Sequence, residues 1–145
     1  MFKKEEIMTK RSPAAAGPYS QAIKLGNLVF VSGHIGNDPK SNQLVGDNIK
    51  AQTKQALENL KAVLVAGGSS LDDVLKVNVY LKNMSDFLGM NEVYSTYFNK
   101  PYPTRATVEV AKLPKDALIE IECIAYCREK GVAVAKNANA VNNYV

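Results

Sequence analysis

The chain has 145 residues, 46% of them hydrophobic, enough for one domain with its own core and no need of disulfide or metal staples. Its net charge of +4 comes from lysines scattered along the chain, often beside acids, and reads as a solvated basic surface with no nucleic-acid footprint. No apolar run reaches the ~20 residues of a membrane span, and the opening Met1-Phe2-Lys3-Lys4-Glu5-Glu6 lacks the apolar stretch of a secretory signal and is too acidic for a mitochondrial presequence, so a cytoplasmic protein is expected.

Residues 1–17 read as irregular. Two short strands follow near 20–25 and 28–32, joined at Gly26-Asn27, a pair suited to a two-residue hairpin turn. Residues 36–47 are rich in turn formers. The spacing of Ile49, Thr53, Ala56, Leu57, Leu60, Val63 and Leu64 predicts a helix over 48–66, with Asp47 as its N-cap and Gly67-Gly68 as its stop. A strand is expected over 74–82, where Leu75, Val77, Val79 and Leu81 alternate with Lys76, Asn78, Tyr80 and Lys82. A second helix is expected over 86–98, capped by Ser85, with Phe87, Met90, Tyr94, Tyr97 and Phe98 on its apolar side. Pro101-Tyr102-Pro103 imposes an extended connection. Strands at 104–110 and 117–127 close the pattern. The order ββαβαββ predicts an α+β fold, a mixed sheet with two helices on one face. Residues 131–145 show no periodicity and read as a loose tail.

The last two strands divide by alternation. Ala106, Val108 and Val110 share one side of the first, and Arg105, Thr107 and Glu109 the other. In the second, Ile119, Ile121, Cys123 and Ala125 oppose Glu120 and Glu122. If the helices take the apolar sides, the opposite face carries a guanidinium, a hydroxyl and carboxylates. Such a face either meets water or meets the sheet of a neighbouring subunit, where its charges need partners. Arginine is a natural clamp for a small carboxylate, because its planar fork donates two charge-assisted hydrogen bonds. A glutamate beside it could orient water or move a proton. Cys123 and Cys127 lie on one side of one strand, roughly 13 Å apart, too far for a disulfide. The single histidine, His34, has no neighbour at metal-ligand spacing and is expected in a turn or at the surface, so no metal site is expected. Glu109 and Glu122 read as structural, serving as ion-pair partners.

Five motifs stand in order along the chain: Gly17-Pro18-Tyr19-Ser20-Gln21-Ala22, Val31-Ser32-Gly33-His34-Ile35, Asn91-Glu92-Val93-Tyr94, Pro103-Thr104-Arg105-Ala106-Thr107-Val108-Glu109-Val110 and Ile119-Glu120-Ile121-Glu122. Together they resemble the RidA (YjgF-type) family over about residues 12–128, leaving a lead over 1–11 and a tail over 129–145. The resemblance implies a chorismate-mutase-like fold assembled as a homotrimeric barrel, with a ligand cleft at each subunit interface. It implies hydrolysis of reactive 2-imino and enamine acids, such as 2-iminopropanoate and 2-iminobutanoate, to 2-oxo acids and ammonia, with no cofactor. Carried over by position, Arg105 grips the substrate carboxylate and Glu120 positions water or assists its proton transfer. Tyr19 lines the cleft, Ser32 and Gly33 shape it, Asn91 lies near it, and the backbone N–H of Thr107 binds the ligand's carboxylate. Many relatives have cysteine where this chain has Thr107, so thiol chemistry at that position is absent here. Two other functions are open at this stage: a small-carboxylate sensor without turnover, and an RNA-directed ribonuclease or translation inhibitor.

Overall fold

A computed structural model of the chain describes residues 1–128. The tail expected over 129–145 lies outside the described residues. Eight elements of regular structure follow one another: strands β1 (Glu5–Ile7), β2 (Ala22–Leu25) and β3 (Leu28–Ile35), helix α1 (Ile49–Ala66), strand β4 (Val74–Leu81), helix α2 (Phe87–Tyr94), and strands β5 (Thr104–Glu109) and β6 (Ile119–Tyr126). The strands form one sheet in the order β1-β2-β3-β6-β4-β5. All neighbours are antiparallel except β4 and β5, which run parallel and are joined through α2. This is the α+β layer architecture expected, a mixed sheet with both helices on one face.

β1 corrects the expectation that residues 1–17 are irregular. It is only three residues long and pairs with β2, Glu5 opposite Lys24. Too short to show alternation, it is held by the burial of Ile7, whose side chain packs close against Gly67. The β2–β3 turn falls where Gly26-Asn27 places it, with Gly26 at φ 60°. β3 continues to Ile35, three residues past the expected end, because an irregularity between Val31 and His34 lets the ladder with β6 resume. That register puts His34 opposite Ile121 and buries it, against the expected turn or surface position.

Helix α1 covers the sheet with the face its spacing predicts: Ala56, Leu57, Leu60, Val63 and Leu64 are fully buried. Each large side chain contributes about 2 kcal/mol by leaving water. The cap lies one residue later than expected, at Asn48 and not Asp47: Asn48 Oδ1 accepts the Ala51 N–H at 2.9 Å. The helix stops at the glycine pair, Gly68 taking the left-handed conformation at φ 79°. Two polar residues, Gln52 and Asn59, sit on the same buried face. Asn59 Nδ2 donates to the carbonyls of Ile35 and Asn37, and the Gln52 side chain bridges Gly46 O and Leu118 N. They tie α1 to the loop after β3 and to the start of β6.

In β4, Val77, Val79 and Leu81 are buried as expected, but Leu75 is exposed and Val74 takes the inward place. A shift in the β4–β6 register between Val74 and Lys76 causes the exchange. Helix α2 is shorter than expected. Met84–Asp86 form a separate 3-10 turn, in which Asn83, not Ser85, provides the cap by accepting the Ser85 N–H at 3.1 Å. The helix ends at Tyr94, beyond which the Ser95 and Thr96 hydroxyls donate to the carbonyls of Glu92 and Val93. The Lys100–Pro101 peptide is cis. Among the described residues no helix is long and apolar enough to cross a membrane.

Candidate active site

The two arms of the expected site leave the sheet in opposite directions. In β6, Ile119, Ile121, Cys123 and Ala125 are buried under the helices, so Glu120 and Glu122 point to the open face. In β5 the division is the reverse of the expected one. Ala106 and Val108 are exposed on the open face, whereas Arg105 and Thr107 turn toward α2. The register explains this. Arg105 lies beside Val77 and Thr107 beside Val79, and both valines are fully buried beneath the helices. Hydropathy alone misassigns β5, because its valine-bearing side is the one left uncovered in a single chain.

One half-site is a cleft of about 400 Å³ on the open side, bordered by Tyr19, Ser32, Gly33, Glu120, Glu122 and Lys115 among others. Its wall depends on Gln21, which the motif reading did not single out for this. Gln21 Nε2 donates to the carbonyls of Thr9, Ser12 and Pro13, its Oε1 accepts the Thr9 N–H, and so the segment before β2 is strapped over the cleft. Ser32 Oγ donates to Ser20 O at 2.6 Å, closing the same corner. Tyr19 is half-exposed, and its hydroxyl accepts the Ala16 N–H at 3.2 Å. Gly33 is required for contact: a Cβ there would stand 1.9 Å from Glu120 Oε1. The Glu120 carboxyl therefore lies directly on the Gly33 backbone. Burial, and then the charge of Glu122, raise its pKa above the usual carboxylate range.

The other half-site is built on β5 and α2. Arg105 Nη1 donates to Asn91 Oδ1 at 2.8 Å, and its guanidinium carbon lies 4.6 Å from the centroid of the Tyr94 ring and 5.6 Å from that of Phe87. Three residues at helical spacing on α2 thus brace one guanidinium by a hydrogen bond and two aromatic faces. Of these, Asn91 stood out in the sequence, and the aromatic pair read only as core. Beyond Arg105, Thr107 Oγ1 is buried with no hydrogen-bond partner among the described residues. β5 is also the edge of the sheet. The Val110 N–H is directed to Leu81 O of β4 at 2.9 Å. Backbone groups alternate along a strand, so the N–H groups of Arg105 and Thr107 point off the free edge. Among the described residues Glu109 forms no ion pair and instead accepts the Met84 N–H at 2.7 Å.

Within one chain, then, Tyr19, Ser32, Gly33 and Glu120 come together, and Asn91, Arg105 and Thr107 come together, with the sheet between the groups. Among the described residues no three His, Cys, Asp or Glu side chains converge as a metal site. Both cysteines are buried and free, and burial pushes the Cys123 thiol up to about 12.

The fold and the site define a class of small α+β proteins with an acid-lined cleft on one sheet face and a braced arginine on the other. The chain belongs to the family described as Endoribonuclease L-PSP, the RidA/YjgF family, whose sequence model matches residues 9–127. It is 58% identical over 123 residues to a RutC family protein of Pyrococcus horikoshii, covering 85% of this chain and 98% of that one. It is 45% identical over 119 residues to the 2-iminobutanoate/2-iminopropanoate deaminase of Mus musculus, covering 82% and 88%. The crystal structure of E. coli TdcF with bound serine superposes with a TM-score of 0.81 at 41% identity, covering 86% of this chain and 99% of that one.

Proposed function

We propose that the chain hydrolyses reactive 2-imino acids, 2-iminopropanoate and 2-iminobutanoate among them, to 2-oxo acids and ammonia without a cofactor, as a homotrimer whose clefts are shared between copies. The observation that carries this reading is the opposed placement of Arg105 and Glu120. Each is built into its own half-site, and Arg105 lies on the free edge strand β5, where a neighbouring copy can bring its acid to it. The mouse relative's name specifies this reaction, and the E. coli relative holds a small amino acid.

The chemistry follows from the groups present. Arg105, with the edge N–H of Thr107, holds the substrate carboxylate, and Glu120 stands over the imine carbon. A protonated Glu120 gives its proton to the imine nitrogen, which makes the carbon electrophilic. Water adds to that carbon while the Glu120 carboxylate takes one of its protons, yielding a carbinolamine. Glu120 then protonates the amine, the C–N bond breaks as ammonia leaves, and the hydroxyl proton returns to Glu120 as the C=O forms. One water is consumed, and the acid ends as it began.

The test uses two variants of the whole chain, with 2-iminobutanoate generated in situ by a threonine dehydratase and oxo-acid release followed. Arg105→Ala and Glu120→Ala should each lose about 10²-fold in kcat/KM. Unfolded together and refolded as a 1:1 mixture, they should recover about a quarter of the wild-type rate, since that share of shared clefts receives both intact residues. No recovery on mixing would sink the shared cleft, and an inactive wild type would sink the deaminase. The serine held by the E. coli relative supports a second reading, binding without turnover. Calorimetric binding of 2-oxobutanoate with no imine hydrolysis would favour it.

A further inference from the structure

We propose that Glu122 is a positioning residue: pinned beside the cleft by Asn78 and Tyr80, it makes Glu120 the member of the acid pair that holds the proton. The inference rests on the imine-hydrolysis reading of the same cleft and adds a part to it. Glu120 and Glu122 stand two residues apart on the open face of β6, about 7 Å along the strand, and both border the cleft. Their surroundings differ. Asn78 Nδ2 and the Tyr80 hydroxyl both donate to Glu122 Oε1, each at 2.8 Å. Asn78 lies directly opposite Glu122 in the β4–β6 register. Tyr80 lies opposite Glu120 but reaches diagonally past it to Glu122. Among the described residues no side chain donates to Glu120, which rests on Gly33 instead.

Two nearby carboxyl groups in a half-dry site do not ionise independently. The negative charge belongs on the one that receives hydrogen bonds, and the proton on the one that does not. Burial and Glu122 both push Glu120 in that direction. The other groups around the cleft do not reverse it. His34, on β3, is driven by burial down to about 4 and is uncharged near neutrality. The Tyr80 hydroxyl on β4 is pushed up by its bond to Glu122, and so stays a donor. Tyr19 is engaged by the Ala16 N–H, and Lys115 Nζ is tied to Asn42 O at 2.7 Å. Arg105 of an adjoining copy arrives with the substrate's carboxylate beside it, a pair of opposite charges. Glu120 is therefore the member of the pair that keeps its proton to the higher pH and the one placed to give it in the first proton transfer.

Glu122→Gln keeps an acceptor oxygen for Asn78 and Tyr80 and removes only the charge. The midpoint of Glu120 in the full-length protein is read by carbon NMR of labelled glutamate carboxyls, and kcat/KM for 2-iminobutanoate is read against pH. In Glu122→Gln the Glu120 midpoint should fall toward the ordinary carboxylate range. The alkaline limb of kcat/KM should fall with it, and KM should hold. Tyr80→Phe, which removes one of the two hydrogen bonds, should shift both the same way by less, and it decides the matter if Glu122→Gln does not fold. An unmoved Glu120 midpoint, or a loss of activity equal at every pH, would overturn the proposal. If the wild type hydrolyses no imine, the functional reading fails, yet the NMR midpoint still decides whether Glu122 holds the proton on Glu120.

Discussion

Glu120 lies in close contact with Gly33 in the candidate site, and the cost of separating them is geometric. A methyl group at position 33 would occupy the place of a Glu120 carboxylate oxygen. The obstructed atom is the end of a flexible side chain, so the fold can adapt while the carboxyl moves. Gly33→Ala should retain a wild-type circular dichroism spectrum and melting behaviour but lose about 10²-fold in kcat/KM, the usual consequence of a catalytic group displaced by about 1 Å. A variant that unfolds instead would show that Gly33 serves the strand and not the acid. Arg105 shows how far single residues are legible. Its identity stood out in a strand motif, and Asn91 stood out in another, but the aromatic braces did not. Phe87 and Tyr94 occupy positions at which any core-facing aromatic would satisfy the helix pattern, and only the turn of Arg105 toward α2 gives them a second role.

At the scale of elements, apolar spacing located both helices and five of the six strands, and it failed where a second influence competed. Leu75 is as apolar as Val74, and a register shift decided which of them faces the core. β1 has three residues, too few for any period. α2 stops early because hydroxyl side chains take its last carbonyls. The faces of β5 reversed for a different reason. Its register with β4 sets Arg105 and Thr107 beside the buried Val77 and Val79, and apolar alternation alone does not report that register. Polar residues on a buried helix face are equally hard to foresee, and Asn59 is the clearest of them. Its amide is the donor for two carbonyls, Ile35 at the end of β3 and Asn37 in the loop that follows. Asn59→Ala should cost about 1–3 kcal/mol, measured by urea unfolding, because two buried acceptors lose their donor. A change below a few tenths of a kcal/mol would mean that water replaces it without loss.

For the whole molecule, acid should be the more telling stress. His34 is buried and its pKa falls from 6.5 to about 4 in the folded chain. A group with a depressed pKa binds its proton more readily when unfolded. The stability tied to its neutral form is therefore complete above pH 6.5 and is lost as pH falls through about 4. The loss should reach about 3 kcal/mol across that window, with the difference between wild type and His34→Gln in denaturant titrations isolating the histidine from the carboxyl groups that titrate beside it. Equal pH dependence in the two proteins would show that His34 is hydrated or charged in the native state. Fold class was legible at this scale because helix and strand periods differ so plainly along the chain. The candidate residues stood out as a set, and their division between sheet faces did not, since alternation alone does not report which side the helices cover.

That division also bears on concentration. On the proposed sharing of clefts, a guanidinium and an acid that leave one chain in opposite directions make turnover a collective property, absent from a newly made chain and acquired on meeting its copies. Diluting such a protein toward the point where its copies part lowers the activity of every milligram that remains folded, as dilution does not for an enzyme complete in a single chain.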